Sequence, residues 1–367
     1  MFNLNTKLLK YFDWTLFITM ILTICYGLAI IVIATIDSSS GYMRYIKPQG
    51  VSFVLGIICI AFILFIDYDI FGKLYLPIYA ISCIPLVAVL FTPLVNGARS
   101  WLTIGPVRFQ PSEIAKIALI ICVAKFIDMH KERINEPLIL LKVLAFSFFP
   151  VGLILLQPDF GTAMVCTFFI AVMLFIAGIN WKYITAALVA GTASLPLLWF
   201  TLGDYQKNRI RVFLDPNLDP TGSGYQVLQS KTAIGSGTLL GRGITNAKFV
   251  KYGFLPENHT DMIFAVIGEV FGFVGGAVLL LLYFIMFARL ISIAKNAKDS
   301  FASLMVIGIA AMLLVHVIEN VGMTIGLMPV TGIPLPFISY GGTALLANMI
   351  GVGIALSIGM RKKNLNF

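Results

Sequence analysis

Long apolar segments separated by short polar connections form the main pattern of the chain. A segment of about 20 apolar residues is long enough to cross the hydrocarbon core of a bilayer as a helix. The segments are continuously apolar, whereas the strands of a membrane barrel alternate between apolar and polar residues. The pattern therefore predicts an all-α membrane protein of one domain, residues 1–367, with ten spans at 15–36, 51–66, 74–91, 113–127, 138–156, 160–178, 183–202, 262–288, 302–327 and 343–360.

One connection is much longer than the others. Residues 203–258, between the seventh and eighth predicted spans, contain seven Lys or Arg, eight Gly and three Pro. Apolar residues spread along this segment favour a folded loop over a disordered one. A connection of this length usually has a function, so we expect the loop to contribute to the functional site.

Composition agrees with a polytopic membrane protein. Hydrophobic residues make up 59% of the chain and charged residues 12%, and the mean hydropathy is +0.94. These values exclude a soluble globule, a disordered protein and a secreted disulfide scaffold. All five cysteines lie in apolar segments without metal-ligand spacing. The first apolar segment is too long for the core of a cleaved signal peptide, so it is predicted to be a retained span.

The distribution of Lys and Arg predicts the orientation, because short cytoplasmic connections are rich in these residues. With the N-terminus inside, the inner segments contain Lys7, Lys10, Lys73, Lys131, Arg133, Lys182, Arg289, Lys295, Lys298, Arg361, Lys362 and Lys363. The short outer loops contain only Arg44, Lys47, Arg99 and Arg108. Both termini are thus predicted in the cytoplasm, and the long loop outside the membrane.

Ionisable residues at membrane depth are candidates for function, because burying them there is costly. Glu113 and Lys116 share one helix face at the start of the fourth span. They are interpreted either as a neutralised pair that stabilises the helix start or as a functional pair. Asp159 is predicted to cap the sixth helix. A third group, in the ninth span, is predicted to be hydrogen-bonded within itself: His316, Glu319 and Asn320.

A dense set of polar side chains precedes the eighth span. Residues 255–261 end in Asp261 and include Glu257 and His259, more polar groups than one helix cap needs. This density favours catalysis or binding at Asp261. Glu269, within the same span, is assigned a structural or capping role.

Two apparent motifs lack the spacing of the sites that they suggest. The glycine-rich segment 235–241 has neither the GxGxxG spacing nor the Lys of a phosphate-binding P-loop. The three histidines are scattered along the chain, which disfavours a histidine metal site. A basic outer loop beside a carboxylate at a helix start suits a lipid-linked pyrophosphate substrate. These features do not distinguish an enzyme from a transporter.

Six blocks of sequence, in order between about residues 10 and 360, closely resemble the SEDS family (shape, elongation, division and sporulation) of bacterial peptidoglycan glycosyltransferases. They are Gly97–Trp101 with Phe109–Lys116, Gln157–Thr162, Gly224–Ser230, Ala233–Gly237, Leu255–Phe264 and Pro334–Thr343. Lys231 and the short cytoplasmic start favour the RodA branch over FtsW and the sporulation members. Two positions depart from the family pattern: Met262 replaces a common Phe, and Val270 replaces a second Glu.

The resemblance implies an enzyme that polymerises lipid II into glycan strands during cell elongation and releases undecaprenyl pyrophosphate. Asp261 would be the catalytic base, and Glu113 would hold Lys116. The cations expected to contact the pyrophosphates are Arg99, Lys116, Arg209 and Lys231. The remaining substrate-binding candidates are Gln110, Ser112, Glu257, His259, Ser339 and Tyr340. A divalent cation, Mg or Mn, is a potential helper, and no other cofactor is implied.

The alternatives are a lipid II flippase, a division or sporulation polymerase and a passive scaffold. The resemblance also implies a bacterial cytoplasmic membrane location, contact with membrane lipid and a class B penicillin-binding protein as the transpeptidase partner, with no role for nucleic acid. Small residues in the last spans, Gly322, Gly326, Gly351, Gly353 and Ala355, would either receive a foreign helix or pack within the bundle.

Overall fold

The computed structural model describes residues 10–36, 41–93, 99–104, 107–201 and 203–361 of the chain. The described part is almost entirely helical, with one two-stranded antiparallel hairpin. Gly97 and Ala98 of the first family-like block, together with Lys7, Lys362 and Lys363, lie outside the described residues.

The helices are numbered in chain order. They are α1 (Trp14–Thr35), α2 (Met43–Phe65), α3 (Asp69–Lys73), α4 (Tyr75–Val89), α5 (Pro111–Met129), α6 (Pro137–Leu155), α7 (Phe160–Ile176), α8 (Trp181–Thr201), α9 (Asp204–Leu214), α10 (Ser223–Ser236), α11 (Gly243–Asn246), α12 (Lys248–Lys251), α13 (Ile263–Lys295), α14 (Ser300–Thr324) and α15 (Gly342–Met360). The strands are β1 (Leu102–Ile104) and β2 (Val107–Phe109), and short 3-10 turns occupy Lys131–Arg133 and Pro216–Leu218.

A long helix lies at each of the ten predicted span positions in the described part of the chain. Six of these helices are long and apolar enough to cross a membrane, namely α1, α2, α6, α13, α14 and α15, while α4 and α7 are shorter apolar helices. The predicted helical membrane fold is confirmed. The number of ten crossings stays a prediction.

Three details differ from the prediction. Helix α2 begins at Met43, not near residue 51, and so includes Arg44 and Lys47. Helix α13 extends to Lys295, beyond the predicted end at residue 288. In both cases the helix continues past its apolar segment, which is all that a hydropathy window detects. The hairpin β1–β2 was not predicted, because strands of three residues are too short to show a periodicity.

The long segment 203–258 contains the four helices α9 to α12. Helix α10 packs along α13. Glu269 of α13 accepts hydrogen bonds from the backbone N–H groups of Phe249 (2.9 Å) and Val250 (3.1 Å), which fastens α12 to the bundle. Glu269 thus has the structural role assigned to it. Placement of this segment outside the membrane stays a prediction.

The glycine-rich segment after α10 packs into a break in α13. Gly272 has a positive φ of 64° and interrupts the helix. The N–H group of Phe273, freed by the break, donates to the carbonyl of Thr238 at 2.9 Å. A Cβ atom at Gly237 or Gly241 would collide with backbone atoms of α13. These glycines are therefore explained by close packing.

Helix α14 lies at the centre of the bundle, where it packs against α5, α7, α13 and α15. Most of its side chains are buried. Helix α15 packs along α2, and α1 packs along α13. This arrangement places the start of α5 beside the middle of α14, and the start of α13 beside the end of α14.

The small residues of the last spans pack within the chain. A Cβ atom at Gly322 would lie 3.0 Å from Met328, and one at Gly326 would lie 3.0 Å from Cδ of Lys231. Gly351 faces Ile117 and Ile309 in the same way. These contacts favour the alternative that Gly322 and Gly326 pack within the bundle, and their role in receiving a partner helix stays a prediction.

Candidate active site

Asp261 lies in a tight turn just before α13. The backbone N–H group of Met262 donates to the carbonyl of Glu257 at 3.0 Å, and Thr260 Oγ1 donates to the Glu257 carboxylate at 2.9 Å. Glu257 itself has a positive φ of 49°. The turn leaves Asp261 half-buried at the end of the bundle where α13 begins.

The main chain around Asp261 is fixed by two neighbouring elements. Asn320 of α14 donates from Nδ2 to the Asp261 carbonyl at 2.9 Å and to the Ile333 carbonyl at 2.8 Å. Ser339 Oγ donates to the carbonyl of Thr260 at 2.6 Å. The N–H group of Tyr340 donates to the carbonyl of His259 at 2.9 Å. In the described part of the chain, no residue forms a hydrogen bond with the Asp261 carboxylate, which is thus held in place but left available.

The electrostatic surroundings suit Asp261 to accept a proton. The pKa of Asp261 is raised to about 6, mainly by burial and in addition by the negative charge of Glu257, while the positive charge of Arg209 opposes both effects. A carboxyl with a pKa near the working pH is an effective general base. Burial lowers the pKa of the nearby His259, which keeps its imidazole neutral at neutral pH.

A cavity of about 190 Å³, the cationic cavity, contains Arg209 of α9 and Lys231 of α10 in its lining. The rest of the lining is mostly apolar and comes from α9, Pro216, α10, which contributes the polar Ser223, and the loop after α14. Arg209 also interacts electrostatically with Asp261. Two cations that line one cavity suit a phosphate-containing ligand.

The other two predicted pyrophosphate ligands lie elsewhere. Arg99 donates from Nη1 to the carbonyl of Leu90 at 2.7 Å and from its backbone N–H to the carbonyl of Gln157 at 3.1 Å, which joins the end of α4 to the turn before α7. Lys116 is buried in the bundle with 1% of its surface exposed. Of the four cations expected at the pyrophosphates, only Arg209 and Lys231 line the cationic cavity.

Lys116 has two close partners inside the bundle. Its Nζ atom lies 2.9 Å from Oε1 of Glu113, the contact predicted from their spacing, and 2.9 Å from Nε2 of His316. Glu319 lies within electrostatic range of the same ammonium. The predicted hydrogen bonding among the polar residues of α14 is wrong, because His316 and Asn320 bond to other elements and both carboxylate oxygens of Glu319 lack a partner.

Unpartnered buried polar atoms concentrate around Lys116. In the described residues they include Ser112 Oγ, Glu113 Oε2, His316 Nδ1, Glu319 Oε1 and Oε2, and Asn320 Oδ1. Gln110 occupies the N-cap position of α5 without a side-chain cap bond. No group of three or more His, Cys, Asp or Glu that could hold a metal ion occurs in the described ranges.

Asp159 has the capping role predicted for it. Its carboxylate accepts from the backbone N–H of Thr162 at 3.1 Å and from Thr162 Oγ1 at 2.9 Å, at the start of α7. The sequence reasoning missed the contacts of His316 with Lys116 and of Asn320 with Asp261. Nothing in the local sequence signals them, since 200 residues separate His316 from Lys116.

The chain is similar in sequence to proteins of one known family. The sequence model of the FtsW, RodA and SpoVE family, described as a cell cycle protein family, matches residues 13–364. The peptidoglycan glycosyltransferase MrdB of Escherichia coli K12 is 44% identical over 293 residues, which are 79% of this chain and 78% of MrdB. Stage V sporulation protein E of Bacillus subtilis is 35% identical over 319 residues, 86% of each chain.

Solved structures share the fold. One chain from a study of how a peptidoglycan synthase complex coordinates polymerization and crosslinking superposes with a TM-score of 0.82 and 32% identity, covering 96% of this chain and 99% of its own. The rod shape determining protein RodA of Thermus thermophilus superposes with a TM-score of 0.71 and 30% identity, covering 96% of this chain and 98% of its own. The chain therefore belongs to the FtsW, RodA and SpoVE family.

Proposed function

We propose that this protein is a peptidoglycan glycosyltransferase that polymerises lipid II during cell elongation. The observation that carries the proposal is the Asp261 carboxylate, fixed through its main chain and close to the cavity lined by Arg209 and Lys231. A base beside a cationic cavity provides the two groups that transfer of a sugar from a pyrophosphate requires. The similarity to MrdB supports the elongation branch.

In this reaction the hydroxyl of the acceptor saccharide attacks the anomeric carbon of the donor saccharide. Asp261 takes the proton of that hydroxyl as the new C–O bond forms. The bond from the anomeric carbon to the pyrophosphate breaks, and the lipid pyrophosphate leaves with the electron pair. Arg209 and Lys231 stabilise the negative charge that grows on this leaving group.

Lys116 has a positioning role in this proposal, because it is buried and two of its three N–H donors already have partners. The contacts of Lys116 with Glu113 and His316 join α5 to α14. Asn320, one turn further along α14, holds the carbonyl of Asp261. In this proposal the Glu113–Lys116 pair supports Asp261 indirectly, through α14, and does not contact the pyrophosphate.

The runner-up function is a flippase that moves lipid II without making bonds. Buried charged groups suit a transporter as well. The enzyme is favoured because the candidate base, its supporting contacts and the cationic cavity gather at one end of α13, while a transport path needs polar groups through the whole membrane depth.

The proposed partner is a class B penicillin-binding protein that crosslinks the new strands, and the proposed location is the cytoplasmic membrane with both termini inside. Similarity to a chain of a peptidoglycan synthase complex supports the partner. Co-purification of the full chain with the cognate transpeptidase tests it, with an unrelated single-span membrane protein as the control.

A polymerisation assay tests the main proposal. Purified protein is incubated with labelled lipid II, and glycan chains are separated on a gel. We expect chains from the wild type and a loss of about 10²–10⁴ in rate for Asp261→Asn. Asp67→Asn is the matched control, because Asp67 is exposed and the one hydrogen bond that its side chain accepts in the described residues, from the N–H of Asp69, is one that asparagine can keep. Equal rates for the wild type and Asp261→Asn would show that Asp261 is not the catalytic base.

A further inference from the structure

A second cavity, of about 420 Å³, opens beside His259 and shares no lining residue with the cationic cavity. The end of α1 forms one wall, Tyr45 of α2 another, and residues 251–253 and 258–259 complete it. We call it the aromatic cavity. His259 is two residues before Asp261, while Arg209 of the cationic cavity interacts with Asp261. Both cavities therefore adjoin the turn that carries the base.

The lining of the aromatic cavity is suited to a saccharide. It presents the rings of Tyr45, Tyr252 and His259 and a few polar groups. Tyr45 packs edge-on against His259 with ring centroids 4.6 Å apart, and against Tyr340 at 5.3 Å, so these rings support one another. Ring surfaces with a few well-placed polar groups are typical of small-molecule sites, and they offer flat apolar area to the C–H faces of a sugar.

The charges of the two cavities differ. The aromatic cavity has one cation, Lys251, because the imidazole of His259 is neutral at neutral pH. The cationic cavity has two cations, Arg209 and Lys231. Glycosyl transfer makes unequal demands on its two substrates, since only the pyrophosphate of the donor gains charge in the transition state.

We propose that the aromatic cavity is the acceptor site, which binds the lipid-linked saccharide whose hydroxyl attacks, and that the cationic cavity binds the pyrophosphate of the donor. This inference rests on the proposed glycosyltransferase function. The acceptor hydroxyl reaches Asp261 from the His259 side, and its proton passes to that carboxylate. The acceptor oxygen forms the bond to the anomeric carbon as the donor pyrophosphate leaves towards Arg209 and Lys231.

Two substrates that each fill one role separate the sites, so the uncapped lipid II of this experiment carries a non-cleavable carbon link between its sugar and its pyrophosphate and can act only as an acceptor. Labelled lipid II whose acceptor hydroxyl is capped by an added sugar can act only as a donor. Its single transfer onto uncapped lipid II is measured while the concentration of each substrate is varied in turn. Lys251 is exposed, so Lys251→Gln should fold normally. Lys251→Gln and Tyr45→Leu should each raise the half-saturating concentration of uncapped lipid II about tenfold. Both should leave the half-saturating concentration of the capped donor within about twofold of the wild-type value. Lys231→Gln should show the reverse pattern.

The chain offers matched controls. Lys248 lies on the same short helix as Lys251, is exposed and does not line the cavity, so Lys248→Gln should behave as wild type. Tyr42, at the start of α2, provides the same control for Tyr45 through Tyr42→Leu. Thermal unfolding of each variant identifies a folding defect. If Tyr45→Leu proves unfolded, the result for Lys251→Gln alone tests whether the aromatic cavity is the acceptor site.

The outcomes distinguish this inference from the function on which it rests. If the wild type forms no glycan product, the proposed function fails. If the wild type polymerises and Lys251→Gln leaves the half-saturating concentration of uncapped lipid II unchanged, only the acceptor site is overturned. If Lys251→Gln raises the half-saturating concentration of the capped donor only, the assignment of the two cavities is reversed.

Discussion

The ammonium group of Lys116 lies 2.9 Å from Nε2 of His316, and this contact joins α5 to α14 inside the bundle. Because an ammonium can only donate, Nε2 must accept, so the imidazole is neutral and carries its proton on Nδ1. Glu113 accepts a second hydrogen bond from the same ammonium. Lys116 is therefore held by one charged and one neutral partner.

Loss of the imidazole acceptor should weaken both the fold and the activity. His316→Leu leaves a buried N–H donor of Lys116 without its partner, at a cost of about 1.5–3 kcal/mol for a hydrogen bond to a charged group. We expect a lower midpoint of thermal unfolding and slower polymerisation. His316→Gln offers an amide oxygen in place of Nε2 and should recover part of both. Identical behaviour of the two variants would show that the acceptor is unimportant.

Glu113 and Lys116 should act as a unit. Removal of one member of a buried ion pair leaves an uncompensated charge and typically costs about 3–5 kcal/mol. Glu113→Ala and Lys116→Ala should each be severe, and the double variant should lose less than the sum of the two. Unfolding free energy and polymerisation rate are measured for all four proteins. Simple additivity would mean that the two residues work separately.

Local sequence predicted those parts of the site that depend on neighbours along the chain. The Glu113–Lys116 contact follows from a spacing of three residues on a helix, and the Asp159 cap follows from its position before α7. The helical membrane fold follows in the same way from the apolar segments. These features depend on short-range geometry, which one sequence contains.

Long-range contacts could not be predicted in this way. Asn320 and Asp261 meet because the end of α14 packs beside the start of α13, and 59 residues separate them. The polar residues of α14 are expected from the sequence to bond to one another, but their helix is central, so His316 contacts Lys116 of α5 and Asn320 contacts the turn before α13. Likewise, Arg209 and Lys231 were grouped with Arg99 by charge alone, and only the fold separates them.

Polymerisation should decline in acid with a midpoint near the pKa of Asp261. That pKa is raised to about 6, mainly by burial and further by Glu257, and the base must be ionised to act. The rate should therefore be maximal above pH 6 and fall about tenfold per pH unit well below it. Glu257→Gln removes a negative charge, lowers the pKa of Asp261 and should move the acid limb to lower pH. A shift to higher pH would contradict this electrostatic account.

The space beside the Asp261 carboxylate should be essential. Gly332 has a φ of +76°, and a Cβ atom built there would lie 3.4 Å from Oδ2 of Asp261. The Gly332→Ala methyl group would thus lie against the carboxylate oxygen of the proposed base and reduce the space for an acceptor hydroxyl beside it. We expect a loss of at least about tenfold in polymerisation rate, with the protein still folded.

Backbone strain alone could also slow the enzyme, so Gly332→Ala needs a control of equal strain. Gly243 has a φ of +73°, and a Cβ atom there would meet nothing within 4 Å. Gly243→Ala therefore has a similar backbone cost, about 1–2 kcal/mol for a left-handed alanine, without crowding Asp261. Thermal unfolding should show similar destabilisation of the two variants, and only Gly332→Ala should lose activity. If both variants lose activity equally, strain is the cause, and the space at Gly332 has no role in admitting the acceptor.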